Sequence, residues 1–419
     1  MYSKIKYLFQ DGFFHILTGG ILVKLIAFIS SILIVRIVDK ANYGYLAYAD
    51  NLYSYINLFT GLGLSTALIK FCQPTKEPGE NKFYLSVALR YGVTFQVALS
   101  VLLCVGVSFV PIPFPQARPL IYCLILFPAL TQILNTCLGF IRAMRNNQLY
   151  AVMGAIQTAV VLLVSVPSAL LADVYGIPFA RYVAMSVAIF TGARFMRRVI
   201  PAETEIIRPE RQEIVFFWKI SISMMFASLF SMIMPLNEAF MINESIRDEL
   251  VTASYKVATL IPMQLRFISD SIVIYVFPKV AHADKSEGRL SNYVFRVGLI
   301  TFGLVSAVSF MGYCFAPPII RIVYGARFED AIQMSKIYWI VHGLNAGFRM
   351  FPMNLLPALG ATYFNTAVSV TSCLTHFLLL QWLLPRYGIY GAAYAMSAIY
   401  LLSGTAYWIY LFCNVRRAT

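Results

Sequence analysis

The chain has 419 residues, 59% of them hydrophobic and 12% charged. A soluble domain averages about 25% charged residues, so the composition excludes an ordinary soluble protein and points to a polytopic membrane one. The formal net charge of +14 does not imply nucleic acid, because the basic residues lie between apolar runs and form no single patch.

A membrane-crossing helix needs about 20 mostly apolar residues. Twelve stretches meet that need, at roughly 13–35, 45–69, 84–110, 119–141, 149–171, 177–196, 215–237, 251–277, 293–316, 331–355, 361–384 and 389–413. The expectation is an all-α integral membrane protein of about twelve helices. Lys4 and Lys6 precede the first stretch, His15 and Lys24 interrupt it, and no small-x-small cleavage site follows. It reads as a retained span and not as a cleaved signal peptide.

Lys24 stands in the middle of that span, where snorkelling is difficult. It reads either as a cavity-facing cation or as one half of a buried pair with Asp50 or Asp270. In the second span Asp50, Ser54, Asn57 and Gly61 share one helix face. The face is either a cavity wall or hydrogen-bonding glue between helices. Tyr48, Tyr53 and Tyr55 in the same stretch suit sugar stacking or anchoring at the interface. In the fourth span the uncharged stripe Gln132, Asn135, Thr136 and Gly139 reads as packing glue.

The longest polar connections, about 197–214 and 278–292, are too short for a soluble catalytic domain. The first divides the chain into an N-terminal six-helix lobe (1–198), a cytoplasmic linker (199–213) and a C-terminal six-helix lobe (214–419). With the N-terminus inside, twenty basic residues fall on the inner side, eight on the outer and five at membrane depth. That asymmetry orients both termini to the cytoplasm. Six spans per half make the halves parallel repeats about an axis along the membrane normal. Asn42-Tyr43-Gly44 and Ala253-Ser254-Tyr255 enter the second span of each half. Phe71, Pro74 and Lys76, and Phe277, Pro278 and Lys279, leave it.

The five cations at depth are Lys24, Lys256, Arg266, Lys336 and Arg349; the candidate carboxylates are Asp50, Glu238 and Asp270. Charges at that depth are expensive, and a bundle keeps them facing its interior or a wet cavity. An excess of cations there predicts an anionic substrate. Arg266 and Asp270 are i, i+4 neighbours, so they either pair with one another or face that substrate. In the tenth span His342, Asn345 and Arg349 fall at i, i+3 and i+7. Arg349 suits a phosphate or the inner interface. His342 suits a proton relay or a hydrogen-bonded core position, and His376 is read in the same way.

The seven cysteines, Cys72, Cys104, Cys123, Cys137, Cys314, Cys373 and Cys413, form no C-x-x-C pair. They read as packing residues, with neither a disulfide framework nor a metal site favoured. No P-loop, H-E-x-x-H or G-x-S-x-G pattern is present. No catalytic residue, cofactor or metal is expected, and ATP-driven transport by this chain alone is not.

Six segments carry a resemblance to a known family: ILTGGILVKLIAFISSILIVRIV at 16–38, GLGLSTALIKF at 61–71, GFIRAMRNNQLYA at 139–151, YVFPKVAHADKSEGRL at 275–290, IIRIVYGARFEDA at 319–331 and LLPRYGIYGAAYAMSAIY at 383–400. The chain resembles the polysaccharide-specific flippases of the multidrug/oligosaccharidyl-lipid/polysaccharide (MOP) exporter superfamily, which act on O-antigen and enterobacterial common antigen. It departs from the lipid II flippases of that superfamily, which resemble fourteen-span proteins. The resemblance implies movement of an undecaprenyl-diphosphate-linked glycan from the cytoplasmic to the periplasmic leaflet of a bacterial inner membrane. It also implies alternating access, a cationic lumen and coupling to a proton or another ion.

Lys24, Arg266, Arg349 and Lys256 are the candidate cavity cations; Asp50, Asp270 and His342 are the candidate coupling groups. The expected partners are the glycan lipid, the bilayer, and a polymerase and chain-length regulator of the same pathway, with no nucleic acid. The rival readings are a multidrug or cation antiporter of the same superfamily and a polytopic polysaccharide polymerase or ligase.

Overall fold

Asx caps, glycines and prolines decide where these helices start and break. The computed structural model describes residues 13–281, 289–359 and 361–417. Lys4, Lys6 and Lys285 lie outside the described residues. Among those described there is no strand, and twelve helices fall on the twelve expected stretches. They are α1 (Phe13–Ile37), α2 (Lys40–Phe71), α3 (Pro78–Phe109), α4 (Pro115–Ala143), α5 (Asn147–Ala172) and α6 (Gly176–Val199). Then follow α7 (Arg211–Ile246), α8 (249–281), α9 (Arg289–Tyr324), α10 (331–359), α11 (Thr362–Tyr387) and α12 (Ile389–Arg417). Eight helical stretches among the described residues are long and apolar enough to cross a membrane, one of them holding both α5 and α6. Large apolar side chains such as Leu102, Phe109, Leu163, Phe190, Phe310 and Leu378 stand exposed on their outer faces, which suits contact with lipid.

The second helix of each half begins in the same way. The Asp39 carboxylate accepts from the amides of Ala41 and Asn42 at the start of α2. Asp248 accepts from Leu250 and Val251 at 2.8 and 3.2 Å at the start of α8. An Asx side chain there satisfies amides that the first turn leaves without partners. Both helices then break mid-way. In α2 the 3-10 turn Thr60–Gly63 carries positive φ at all four residues. In α8 the turn Pro262–Leu265 begins at a proline, which cannot supply the amide that a continuous helix needs.

By packing, the chain divides into two compact units, Met1–Leu229 and Phe230–Thr419. The division falls inside α7, because its first half packs with the first unit: Phe217 joins Leu64, Phe71 and Tyr84 in one buried cluster. The polar connection before α7 is held down too. Lys82 at the start of α3 donates to the carbonyls of Ala202 and Thr204 at 2.8 and 2.7 Å, and the Ile207 amide donates to the Gly79 carbonyl. In the first unit α4 packs against α2, α3 and α6; in the second α10 packs against α8, α9 and α12. The stripe on α4 is packing material, as expected. The Gln132 side-chain amide fills the space beside Gly61, and Gly139 lies against the Ser65 carbonyl.

Candidate functional site

The site is built on α10. Its first half, Ala331–Gly343, is regular α-helix. Leu344–Met350 is wound as a π-helix, and Phe351–Leu355 resumes the α form. A π segment inside an α-helix shifts the side chains after it to a new angular position. The residue placed by that shift is Arg349, which is only 7% exposed. Its Nε donates to the Ser403 hydroxyl at 2.9 Å, and Nη1 donates to the Asn345 side-chain oxygen at 3.2 Å. The guanidinium lies over the rings of Tyr400 and Tyr407, at 5.4 and 6.0 Å. Among the described residues no carboxylate comes within ion-pair distance of it. Arg349 is thus a buried cation held by two aromatic faces, a hydroxyl and an amide, with a net positive charge.

One turn and more before it, His342 is buried beside the ring of Tyr338. The Tyr338 hydroxyl donates to Glu238 of α7, a carboxylate only 3% exposed. Tyr255 of α8 also hydrogen-bonds Glu238, and its ring meets that of Tyr338 edge-on at 5.6 Å. A buried carboxylate is kept when donors surround it, and here two phenols do so.

Arg266 opens the second half of α8 and is 45% exposed. Its Nε lies 3.5 Å from Asp270, which also accepts from the Asn354 side chain at 3.2 Å. The pairing reading is therefore real, and it does not remove Arg266 from the site. Arg266 is near enough to His342 and Tyr400 to act on both electrostatically. Four of the sequence-picked residues, Arg266, Asp270, His342 and Arg349, thus meet in the second unit. Lys256 is half-buried on the first half of α8 and joins none of these hydrogen bonds. His376 is fully buried in α11, with no hydrogen-bond partner among the described residues for either ring nitrogen.

The other two candidates lie in the first unit. Lys24 is exposed on α1. Asp50 is bound bidentately by Arg181 of α6, with Nη2 to Oδ2 at 2.9 Å. Tyr48 and Tyr53 do not serve sugar stacking: each is 1% exposed. Tyr48 packs edge-on against Phe114, and the Tyr53 hydroxyl donates to the Ile121 carbonyl. Both are core residues because α2, cut by its break, packs its tyrosine-rich first half inside the unit.

The family model for polysaccharide biosynthesis proteins matches residues 9–281. The chain belongs to that family. Its fold is that of the MOP superfamily transporters. It is similar to the lipid II flippase MurJ in an inward closed conformation, with a TM-score of 0.75 and 14% identity over 97% of this chain and 90% of that one. It is also similar to a mutant of the Vibrio cholerae MATE transporter VcmN, with a TM-score of 0.66 and 16% identity over 100% and 98% of the two chains. A third likeness is to a MOP superfamily transporter from Pyrococcus furiosus, with a TM-score of 0.62 and 13% identity over 96% and 94%. No curated protein matches the sequence. At these identities the structural likenesses carry the fold alone.

Sequence reasoning passed over two parts of the site and one pairing in the first unit. Glu238 was counted among the carboxylates, but its partners Tyr255 and Tyr338 were not seen. The Tyr400, Ser403 and Tyr407 face of α12, at i, i+3 and i+7, was visible as a polar stripe on an apolar helix. Arg181 stands 131 positions from Asp50, and no local pattern links them.

Proposed function

We propose that this family member is a flippase for undecaprenyl-diphosphate-linked oligosaccharide units, of O-antigen or a related surface polysaccharide. It moves them from the cytoplasmic to the periplasmic leaflet of a bacterial inner membrane by alternating access, with both termini in the cytoplasm. A diphosphate and its sugars cannot cross about 30 Å of hydrocarbon unaided. The observation that carries this reading is Arg349, a buried guanidinium without a carboxylate partner, set between tyrosine faces in a family of polysaccharide biosynthesis proteins.

A guanidinium presents a planar fork that matches two phosphate oxygens. Asn345 and Ser403 hold that fork in plane, and the tyrosine rings stabilise its charge from the faces. Arg266 brings a second cation to the same neighbourhood. Its contact with Asp270 is half-exposed and long, so an incoming phosphate competes with it readily. Lys256, on the first half of α8, adds a further cation to the second unit, and Lys24 is the candidate cation of the first. Asp50, Asp270 and His342 serve as coupling groups, and the buried Glu238 beside Tyr338 joins them. The fold of transporters and the absence of an enzyme motif in the sequence favour a carrier that catalyses no covalent step.

The test is a deletion strain lacking any relative. Lipid-linked repeat units should accumulate on the cytoplasmic face and return to the periplasm when the gene is restored. Normal delivery without the protein would remove the proposal. A drug antiporter is the second reading, favoured by the MATE fold and by the buried Glu238. That reading requires drug resistance to fall in the deletion strain while the surface glycan stays intact.

A further inference from the structure

The second unit carries a groove of about 490 Å³ between α9 and α10, apart from the Arg349 site. It is lined by Phe302, Ser306, Phe310, Tyr313, Ile340 and Leu344. Phe302, Phe310, Tyr313 and Ile340 are all exposed, so the groove opens on the apolar outside of the unit. A surface of that kind on a membrane helix meets hydrocarbon.

One charge stands at this groove. Lys336 of α10 is half-buried, and its ammonium rests 5.7 Å from the centre of the Tyr313 ring. Tyr313 lies 3 residues inside the end of the span expected at 293–316, and Lys336 lies 5 inside the start of the one expected at 331–355, about 5 and 8 Å at 1.5 Å per residue. The ammonium thus stands near the headgroup level and is turned toward a ring on the groove wall. Among the described residues no carboxylate pairs with it. Glu329 pairs with Arg321, and Asp330 accepts from Ser254. A cation at the edge of the hydrocarbon without a protein counter-ion is placed to meet the phosphate of a bilayer lipid.

We infer that this groove is a binding site for an anionic phospholipid of the surrounding bilayer, with one acyl chain along Phe302, Phe310 and Ile340 and the phosphate at Lys336. Three features choose that occupant over the polyprenyl-diphosphate cargo. The volume suits a single fatty-acyl chain and falls far short of a long polyprenyl chain. One ammonium balances one monoanionic phosphate, whereas a diphosphate is better served by the two guanidinium groups of Arg266 and Arg349. The groove also faces outward, where bilayer lipids are always in excess. The site stands whatever the cargo of the transporter is.

The experiment is native mass spectrometry of the full-length protein. It is released from nanodiscs of equal phosphatidylglycerol and phosphatidylcholine with matched chains. Wild type should retain phosphatidylglycerol over phosphatidylcholine by about fivefold, the preference expected of one lysine near an anionic lipid. Lys336→Gln should bring the ratio to about one, and Lys336→Arg should restore it. Ser306→Phe, which fills the groove, should lower retention of both lipids. An unchanged ratio in Lys336→Gln overturns the inference. So does a short-chain polyprenyl diphosphate that displaces phosphatidylglycerol from wild type but not from Ser306→Phe, because it would make the groove a cargo site.

Discussion

Arg349 and Ser403 are joined by a 2.9 Å hydrogen bond from Nε to the hydroxyl, and that hydroxyl donates onward to the Ile399 carbonyl. The serine therefore spends its one hydrogen on its own helix and offers its lone pair to the arginine. This fixes the guanidinium plane against Tyr400 and Tyr407 before any anion arrives. Preorganisation of this kind makes geometry matter as much as charge.

The first prediction follows from that geometry. A hydrogen bond to a charged group contributes about 1.5–3 kcal/mol, so Arg349→Ala should lower glycan export by about ten- to a hundredfold. Arg349→Lys keeps the charge but loses the fork and the stacking, and should recover only part of it. Ser403→Ala should fall between wild type and Arg349→Lys. Export is measured as surface glycan at matched protein level in the membrane. Full export by Arg349→Ala would rule the residue out of the cargo path.

Arg266 and Asp270 separate by stability. Their contact is 3.5 Å long, with side chains 45% and 34% exposed, and an ion pair of that exposure contributes about 0–1 kcal/mol. Asp270→Asn should therefore leave the melting temperature of the purified protein nearly unchanged. Arg266→Ala should reduce export while the protein stays inserted and stable. If both variants lose stability alike and export follows it, the pair is structural and Arg266 has no cargo role.

The spans were legible because the bilayer imposes them: about 20 apolar residues in a row are hard to mistake. The interior of each span was less so. A helical wheel assumes 3.6 residues per turn, and it put His342, Asn345 and Arg349 on one face. Asn345 and Arg349 do meet, as i, i+4 neighbours, but the π segment at Leu344–Met350 turns them out of the register of His342, which the wheel does not foresee. The left-handed turn at Thr60–Gly63 was hinted at by its two glycines, yet Thr60 and Leu62 share the conformation without a local reason to do so. Pairings such as Asp50 with Arg181 and Glu238 with Tyr338 arise from packing between distant helices. They leave no periodic trace in the chain.

Glu238 yields a prediction with two readouts. Glu238→Gln keeps an oxygen that accepts from Tyr338 and Tyr255, so the fold should persist. It removes the group's ability to gain and lose a proton. Export should then stop responding to collapse of the proton gradient. Glu238→Ala leaves two buried phenols short of a partner, at about 1–3 kcal/mol each, and should lower the melting temperature clearly. A glutamine variant that still responds to the gradient as wild type does would take Glu238 out of coupling and leave it a structural anchor.

The break in α2 gives the sharpest structural test. Gly63 has φ of +73°, and a Cβ there would lie 2.0 Å from the Ser221 carbonyl oxygen and 2.9 Å from the Met225 amide nitrogen. Both are backbone atoms of α7, so no side chain can swing away to make room. A non-glycine residue in such a conformation costs about 1–3 kcal/mol in strain alone, and the overlap forces α2 and α7 apart in addition. Gly61→Ala meets only the Gln132 side chain, which has some freedom to yield. Gly106 has nothing within 4 Å of an added Cβ, and alanine there should cost nothing or gain slightly in helix propensity. The expected order of melting temperature is Gly106→Ala at or above wild type, then Gly61→Ala, with Gly63→Ala lowest and poorly inserted. A Gly63→Ala protein as stable as Gly106→Ala would mean that α2 does not approach α7 as closely as described.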